Sequence, residues 1–157
     1  MIKQIIIALK AQLITYPALA AYASDAGYIV ADPVELVRTG GFPFFNVVPG
    51  NPITVEKVDN VSFMEMERHI IPLVIQFATR STTKDVAVMG DDVTTGLLDF
   101  MEDLWDGIKF DRTIGGTVNG IVPGFTIEIT ILELEGEQRI FVAGAEMRIE
   151  IYVDKAA

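Results

Sequence analysis

Phe125–Asp154, FTIEITILELEGEQRIFVAGAEMRIEIYVD, is the stretch on which the fold turns. Phe125, Ile127, Ile129 and Ile131 alternate with Thr126, Glu128 and Thr130, the two-residue period of a strand with one buried face and one wet face. After Ile131 the parity flips, with Leu132 and Leu134 apolar and Glu133 and Glu135 polar, a slip that a bulge would produce. Gly136, between Glu135 and Glu137, marks a turn. The return run sets Met147, Ile149, Ile151 and Val153 against Glu146, Arg148 and Glu150. The pattern predicts a long C-terminal antiparallel hairpin whose apolar face needs helices to cover it.

Two segments upstream carry helical spacing. Near the N-terminus Ile2, Ile5, Ile6, Leu9 and Leu13 fall three and four apart, with Lys3, Gln4, Lys10 and Gln12 mostly on the other side. The apolar run there stops at Lys10, too short for the core of a secretory signal, so an amphipathic helix is expected. Pro17 then opens a short helical turn. The second segment aligns Val86, Met89, Val93, Leu97, Met101, Leu104 and Ile108 on one stripe and predicts a single main helix, capped by Thr82 or Thr83 and stopped at Gly107. Gly90 and Gly96 each weaken that helix by about 1 kcal/mol.

Between the helices lie strands. Phe42, Phe44, Val47 and Val48 suggest a short one, with Pro43 and Pro49 placing it at a sheet edge. Val61–Arg80 alternates on both sides of Pro72, as one long strand or two strands bent at the proline. Asp111–Gly124, with four glycines and one proline, reads as a surface loop. The expected fold is one α+β domain over 1–157: a mainly antiparallel sheet, a long C-terminal hairpin and two main helices packed on one face.

Composition narrows the function. Twelve basic and 22 acidic residues give a net charge of −10, so the average surface repels the phosphates of nucleic acid. DNA could still pass along such a surface without adhering to it. The absence of cysteine excludes disulfides, thiolate zinc sites and cysteine nucleophiles. No apolar run approaches the roughly 20 residues of a membrane-spanning helix. His69 is the only histidine, and no nucleophile motif accompanies it. Asp91, Asp92, Asp99, Glu102 and Asp103 sit at the spacing of a solvated helix face rather than of a calcium loop. GTVNGIVPG lacks the lysine of a phosphate loop and the order of a dinucleotide site. Sparse chemistry beside ample apolar surface points to a protein that binds protein.

Three segments together resemble the tail terminator, or tail-completion, proteins of long-tailed phages and prophages: IIIALKAQLITYPALAA (5–21), HIIPLVIQFATRS (69–81) with the acidic helix after it, and FVAGAEMRIEIYVD (141–154). The resemblance implies a structural subunit of the virion tail, assembled in the host cytoplasm, without enzymatic activity or cofactor. Six copies would form a ring that caps the tail tube, ends addition of tube protein and offers a surface to the head–tail connector protein. DNA would pass through the ring without specific binding, and no membrane is involved. On this reading edge strands pair between subunits, anchored by Phe42, Phe44 and Phe45. The 111–124 loop orders on the tube through Arg112, Thr113 and Ile114, or else is a spare loop with no partner, and deleting Thr113–Asn119 should leave the fold intact. Another neck or connector subunit, or a small-ligand-binding domain, are the other readings open to this sequence.

Overall fold

The computed structural model describes residues 1–19, 44–58, 65–134 and 140–156. In chain order the elements are α1 (Ile2–Thr15), β1 (Phe44–Pro49), β2 (Thr54–Val58), β3 (Met66–Ser81), α2 (Lys84–Met89), α3 (Leu97–Phe110), β4 (Gly120–Ile121), β5 (Thr126–Leu134) and β6 (Ile140–Ala156). Two long strands form the spine. β3 and β6 pair antiparallel without interruption from Met66 opposite Ala156 to Ser81 opposite Phe141. At about 3.4 Å per residue such a pair is roughly 50 Å long. Each flank of the spine is covered by two shorter strands in succession, all antiparallel: β1 and β2 along β3, β4 and β5 along β6.

The split first flank explains how Pro72 sits inside a central strand. Of the two sequence readings, one strand or two bent at the proline, the single strand holds. Gly50 N–H donates to the Pro72 carbonyl at 2.9 Å, so the polar side of residue 72 faces the step where β1 gives way to β2. The missing N–H therefore falls in a gap between edge strands and costs no ladder bond.

Residues directly opposite one another share a face. Ile71, Leu73, Ile75 and Phe77 of β3 and Ala143, Ala145, Met147, Ile149 and Ile151 of β6 are buried, and all belong to the single core. Ile5, Leu9 and Leu13 of α1 and Leu97, Phe100, Leu104 and Ile108 of α3 complete it from the helix side. Phe100 meets Phe77 and Phe45 edge-on, with ring centroids 5.2 and 6.1 Å away, the geometry that aromatic quadrupoles favour. Glu146, Arg148 and Glu150 point the other way and are exposed. The architecture is thus α+β, with a C-terminal hairpin in an antiparallel sheet and the helices on one face.

Three expectations are corrected. The single helix across 84–108 is two helices, because Gly90 takes φ 76° and the chain turns there. A Cβ built on Gly96 would overlap the backbone nitrogen of Gly90, so the turn closes too tightly for any other residue. Met89 and Val93, placed on the buried stripe by their spacing, are instead 63% and 93% exposed. Gly107 does not stop α3, which runs on to Phe110. Its bare Cα lets α1 approach: a Cβ there would stand 3.0 Å from Leu19 and 3.1 Å from Leu13. From α1, Gln12 Nε2 donates to the carbonyls of Gly107, Ile108 and Asp111 at 2.8, 3.1 and 3.2 Å, serving acceptors that α3 leaves open at its end.

The third correction concerns the hairpin. β5 pairs β6 in unbroken register from Thr126 opposite Arg148 to Leu134 opposite Ile140, so the parity flip is not a bulge. It marks where β5 outruns the helices. Ile129 and Ile131 on its helix-side face are already 45% and 37% exposed. The turn expected at Gly136 lies outside the described residues.

Candidate protein interface

The 111–124 segment, expected as a loop that waits for a partner, is knitted into the fold. Asp111 organises it: Oδ1 accepts from Thr113 N–H at 2.9 Å and Thr113 Oγ1 at 2.7 Å, and Oδ2 accepts from Gly115 N–H at 2.9 Å. These bonds, led by the Thr113 hydroxyl, hold the Asp111 carboxyl below the usual carboxylate range. Ile114 is forced to φ 49°, an uncommon place for a β-branched residue, and its side chain is fully buried in return. Val118 is buried as well, and Asn119 N–H and Val122 N–H donate to Tyr152 and Glu150 carbonyls around the two residues of β4. Deleting Thr113–Asn119 would therefore take two side chains out of the core, contrary to the expectation of an intact fold.

The six residues proposed as contacts separate accordingly. Phe42 lies outside the described residues. Phe44 begins β1 opposite Ala78, and its side chain is likewise outside the description. Phe45 is fully buried against Phe100, and Ile114 is fully buried, so neither is available to a partner; alternation in β1 sends Phe45 inward. Arg112 and Thr113 are exposed. The structure brings Arg112 beside groups that the sequence reading did not join to it. Trp105, Lys109, Arg112, Ile121, Val122 and Pro123 line a hollow of about 30 Å³. Trp105 packs on Phe125 in a tilted contact at 4.5 Å between centroids, and Lys109 Nζ lies 5.5 Å from the Trp105 ring centre. From Phe125 the apolar surface continues along the helix-side face of β5 through Ile129 and Ile131. On the opposite flank Ile53 and Val55 are exposed at β2.

Charge is graded along α3. Asp99, Glu102, Asp103 and Asp106 crowd one side, and burial followed by repulsion from Asp106, Asp99 and Glu102 raises the Asp103 carboxyl above its ordinary value. Just before the helix, Asp91 Oδ1 accepts from Val93 N–H at 2.9 Å and Thr94 N–H at 2.6 Å, bonds that lower its pKa. At the far end are Lys109, 3.5 Å from Asp106, and Arg112, which forms no ion pair among the described residues. Elsewhere Arg68 clasps Asp154 through two bonds of 2.8 and 3.1 Å and lies 4.4 Å above the Tyr152 ring centre, tying β3 to β6. His69 Nε2 is 3.3 Å from Glu67 Oε2 on the same strand. Among the described residues no group of three His, Asp or Glu side chains is placed to hold a metal ion. A second hollow, about 350 Å³, is bounded by 122–126, Arg148 and Glu150, and Arg148 is already committed to the Asn51 carbonyl at 3.0 Å. No helix among the described residues is long and apolar enough to cross a membrane.

Fold and surface define an α+β protein with exposed apolar side chains at both flanks of one sheet. No family model and no curated protein matches the sequence.

Proposed function

We propose that this chain is a structural subunit of the phage tail terminator kind, whose copies form a six-membered ring that caps the tail tube and presents a surface for head–tail joining. One observation carries the reading: the two flanks of the sheet are unlike, and both expose apolar side chains, Ile53 and Val55 on one and Phe125, Ile129 and Ile131 on the other. Two different patches on one subunit give a heterologous contact, and a heterologous contact repeated by rotation makes a ring where that rotation closes and an open filament where it does not. The net charge of −10 suits a lumen along which DNA slides without sticking. The likeness in segment order to tail terminators supplies the tube as partner.

Native mass spectrometry and negative-stain imaging of the purified protein test the first half. A six-subunit mass and a ring with a central hole are expected, and a monomer at all accessible concentrations overturns the proposal. Incubation with purified tail tubes tests the second half. Rings at tube ends are expected, whereas rings that ignore tubes and bind head-side portals move the protein to another place in the neck.

A further inference from the structure

We propose that successive copies join head to tail along α3, with the Met89–Val93 tip of one copy seated in the Trp105–Pro123 hollow of the next. The inference rests on the self-assembly reading above and adds to it the surface that fixes the relative placement of neighbours. Val93 is 93% exposed, more than any other large apolar residue on the described surface, and Met89 beside it is 63% exposed. Such exposure at a floppy site would mean little, but this tip is held. Gly90 at φ 76°, the close approach of Gly96 and the bonds that Val93 and Thr94 N–H donate to Asp91 Oδ1 fix the tip before any partner arrives. A contact made by a preformed knob loses little entropy on binding.

The hollow answers the knob in size and charge. Its 30 Å³ equals about two water-sized spheres, enough to admit the end of a small apolar side chain, and its walls are Trp105, Ile121, Val122 and Pro123. Lys109 and Arg112 stand at its rim, while Asp91 and Asp92 immediately precede Val93. In a chain of net charge −10, a basic rim around an apolar hollow matches acidic residues beside an apolar tip. Knob and hollow sit at opposite ends of α3, whose 14 residues span about 20 Å, so no copy can fill its own hollow. The tip alone is smaller than the roughly 1,200 Å² of a stable interface. The apolar surface running from the hollow through Phe125 to Ile129 and Ile131 lets the contact extend beyond it.

The natural chain has no cysteine, so a Val93→Cys, Pro123→Cys protein carries only the two designed thiols. Diamide, accepting the two electrons and two protons of each thiol pair, is expected to convert it into a ladder of covalent multimers on a non-reducing gel, with neither single variant giving more than a dimer. In parallel, Asp92→Lys and Arg112→Glu should each raise the concentration for half-assembly about tenfold, and together restore it to within about threefold. Both sites are on the surface, and thermal melts matching the natural protein verify that the variants are folded. Six-membered rings without a ladder or charge rescue overturn the tip contact and leave the ring reading standing. A ladder built from open chains, with no closed species, keeps the contact and overturns the ring. A protein monomeric throughout overturns both.

Discussion

A methyl group at Gly96 would run into the backbone of Gly90, and neither position has a flexible side chain that could yield. Gly96→Ala should therefore cost about 1–3 kcal/mol, the range for overpacking a tight site, and alanine is also the poorer residue at the N-cap that Gly96 occupies. Urea titration of the two proteins checks the sign, and a stabilised variant would show that the α2–α3 turn can relax. Acid acts on the other tight turn. The Asp111 carboxyl titrates lower in the folded chain than the roughly 3.9 of an unfolded aspartate. Its hydrogen bonds thus add stability that is fully present above about pH 4 and is lost as pH falls through the folded value. Asp91 and Asp154 are shifted in the same direction, so the natural protein should lose urea resistance over the interval below about pH 4. Asp111→Asn should show a smaller loss over that interval, together with a lower midpoint at pH 7.

Among the elements, β3 makes the sharpest claim, since a proline inside a 16-residue central strand is tolerated only where its absent N–H has no partner to lose. Pro72→Ala should cost about 1 kcal/mol, mainly by freeing the unfolded chain, whereas Leu73→Pro should prevent folding. The difference is one of direction. Residue 72 faces the gap between β1 and β2, so its neighbour Leu73 faces Ile149 of β6, and a proline there removes a bond from the spine. Circular dichroism of the two variants distinguishes them. Much at this scale was legible in the sequence because one cause acted alone. The α1 stripe and the alternation of Met147–Val153 follow from burial on one face, and Ile5, Leu9, Leu13, Met147, Ile149 and Ile151 are all buried. Where two causes competed, periodicity misled. Val86–Ile108 keeps helical spacing across Gly90 and Gly96, yet the two glycines turn the backbone and leave Met89 and Val93 in water. The 111–124 segment has the composition of a free loop, but local hydrogen bonds to Asp111 shape it and bonds to β6 hold it, and the latter depend on contacts distant in sequence. The same blindness affected the site. Phe45 and Ile114 have the residue types of an interface, and only tertiary packing reveals that they are core, while Arg112 acquires its neighbours Trp105 and Pro123 from the fold.

For the whole molecule, the decisive property is that the outer strands expose apolar side chains on one face, beside the charges and prolines, such as Pro49, Glu56, Lys57 and Glu128, with which sheets usually discourage edge-to-edge pairing. β5 is the clearer case. Phe125, Ile129 and Ile131 are on or beside an outer strand with no further strand paired to it among the described residues, on the face where the helices stop short. Assembly would remove this surface from water, at a gain of about 25 cal/mol per Å². It follows that Ile129→Lys should separate folding from assembly. With Ile129 already 45% exposed, the lysine ammonium can reach solvent in the isolated subunit, and thermal stability should change by less than about 0.5 kcal/mol. In the assembly the same ammonium would be buried without a partner, and multimers should vanish from native mass spectra at concentrations where the natural protein assembles. Ile149→Lys supplies the contrast: its residue is 1% exposed in the core, so folding itself should fail. If Ile129→Lys assembles as readily as the natural chain, the β5 flank is not the surface by which subunits meet.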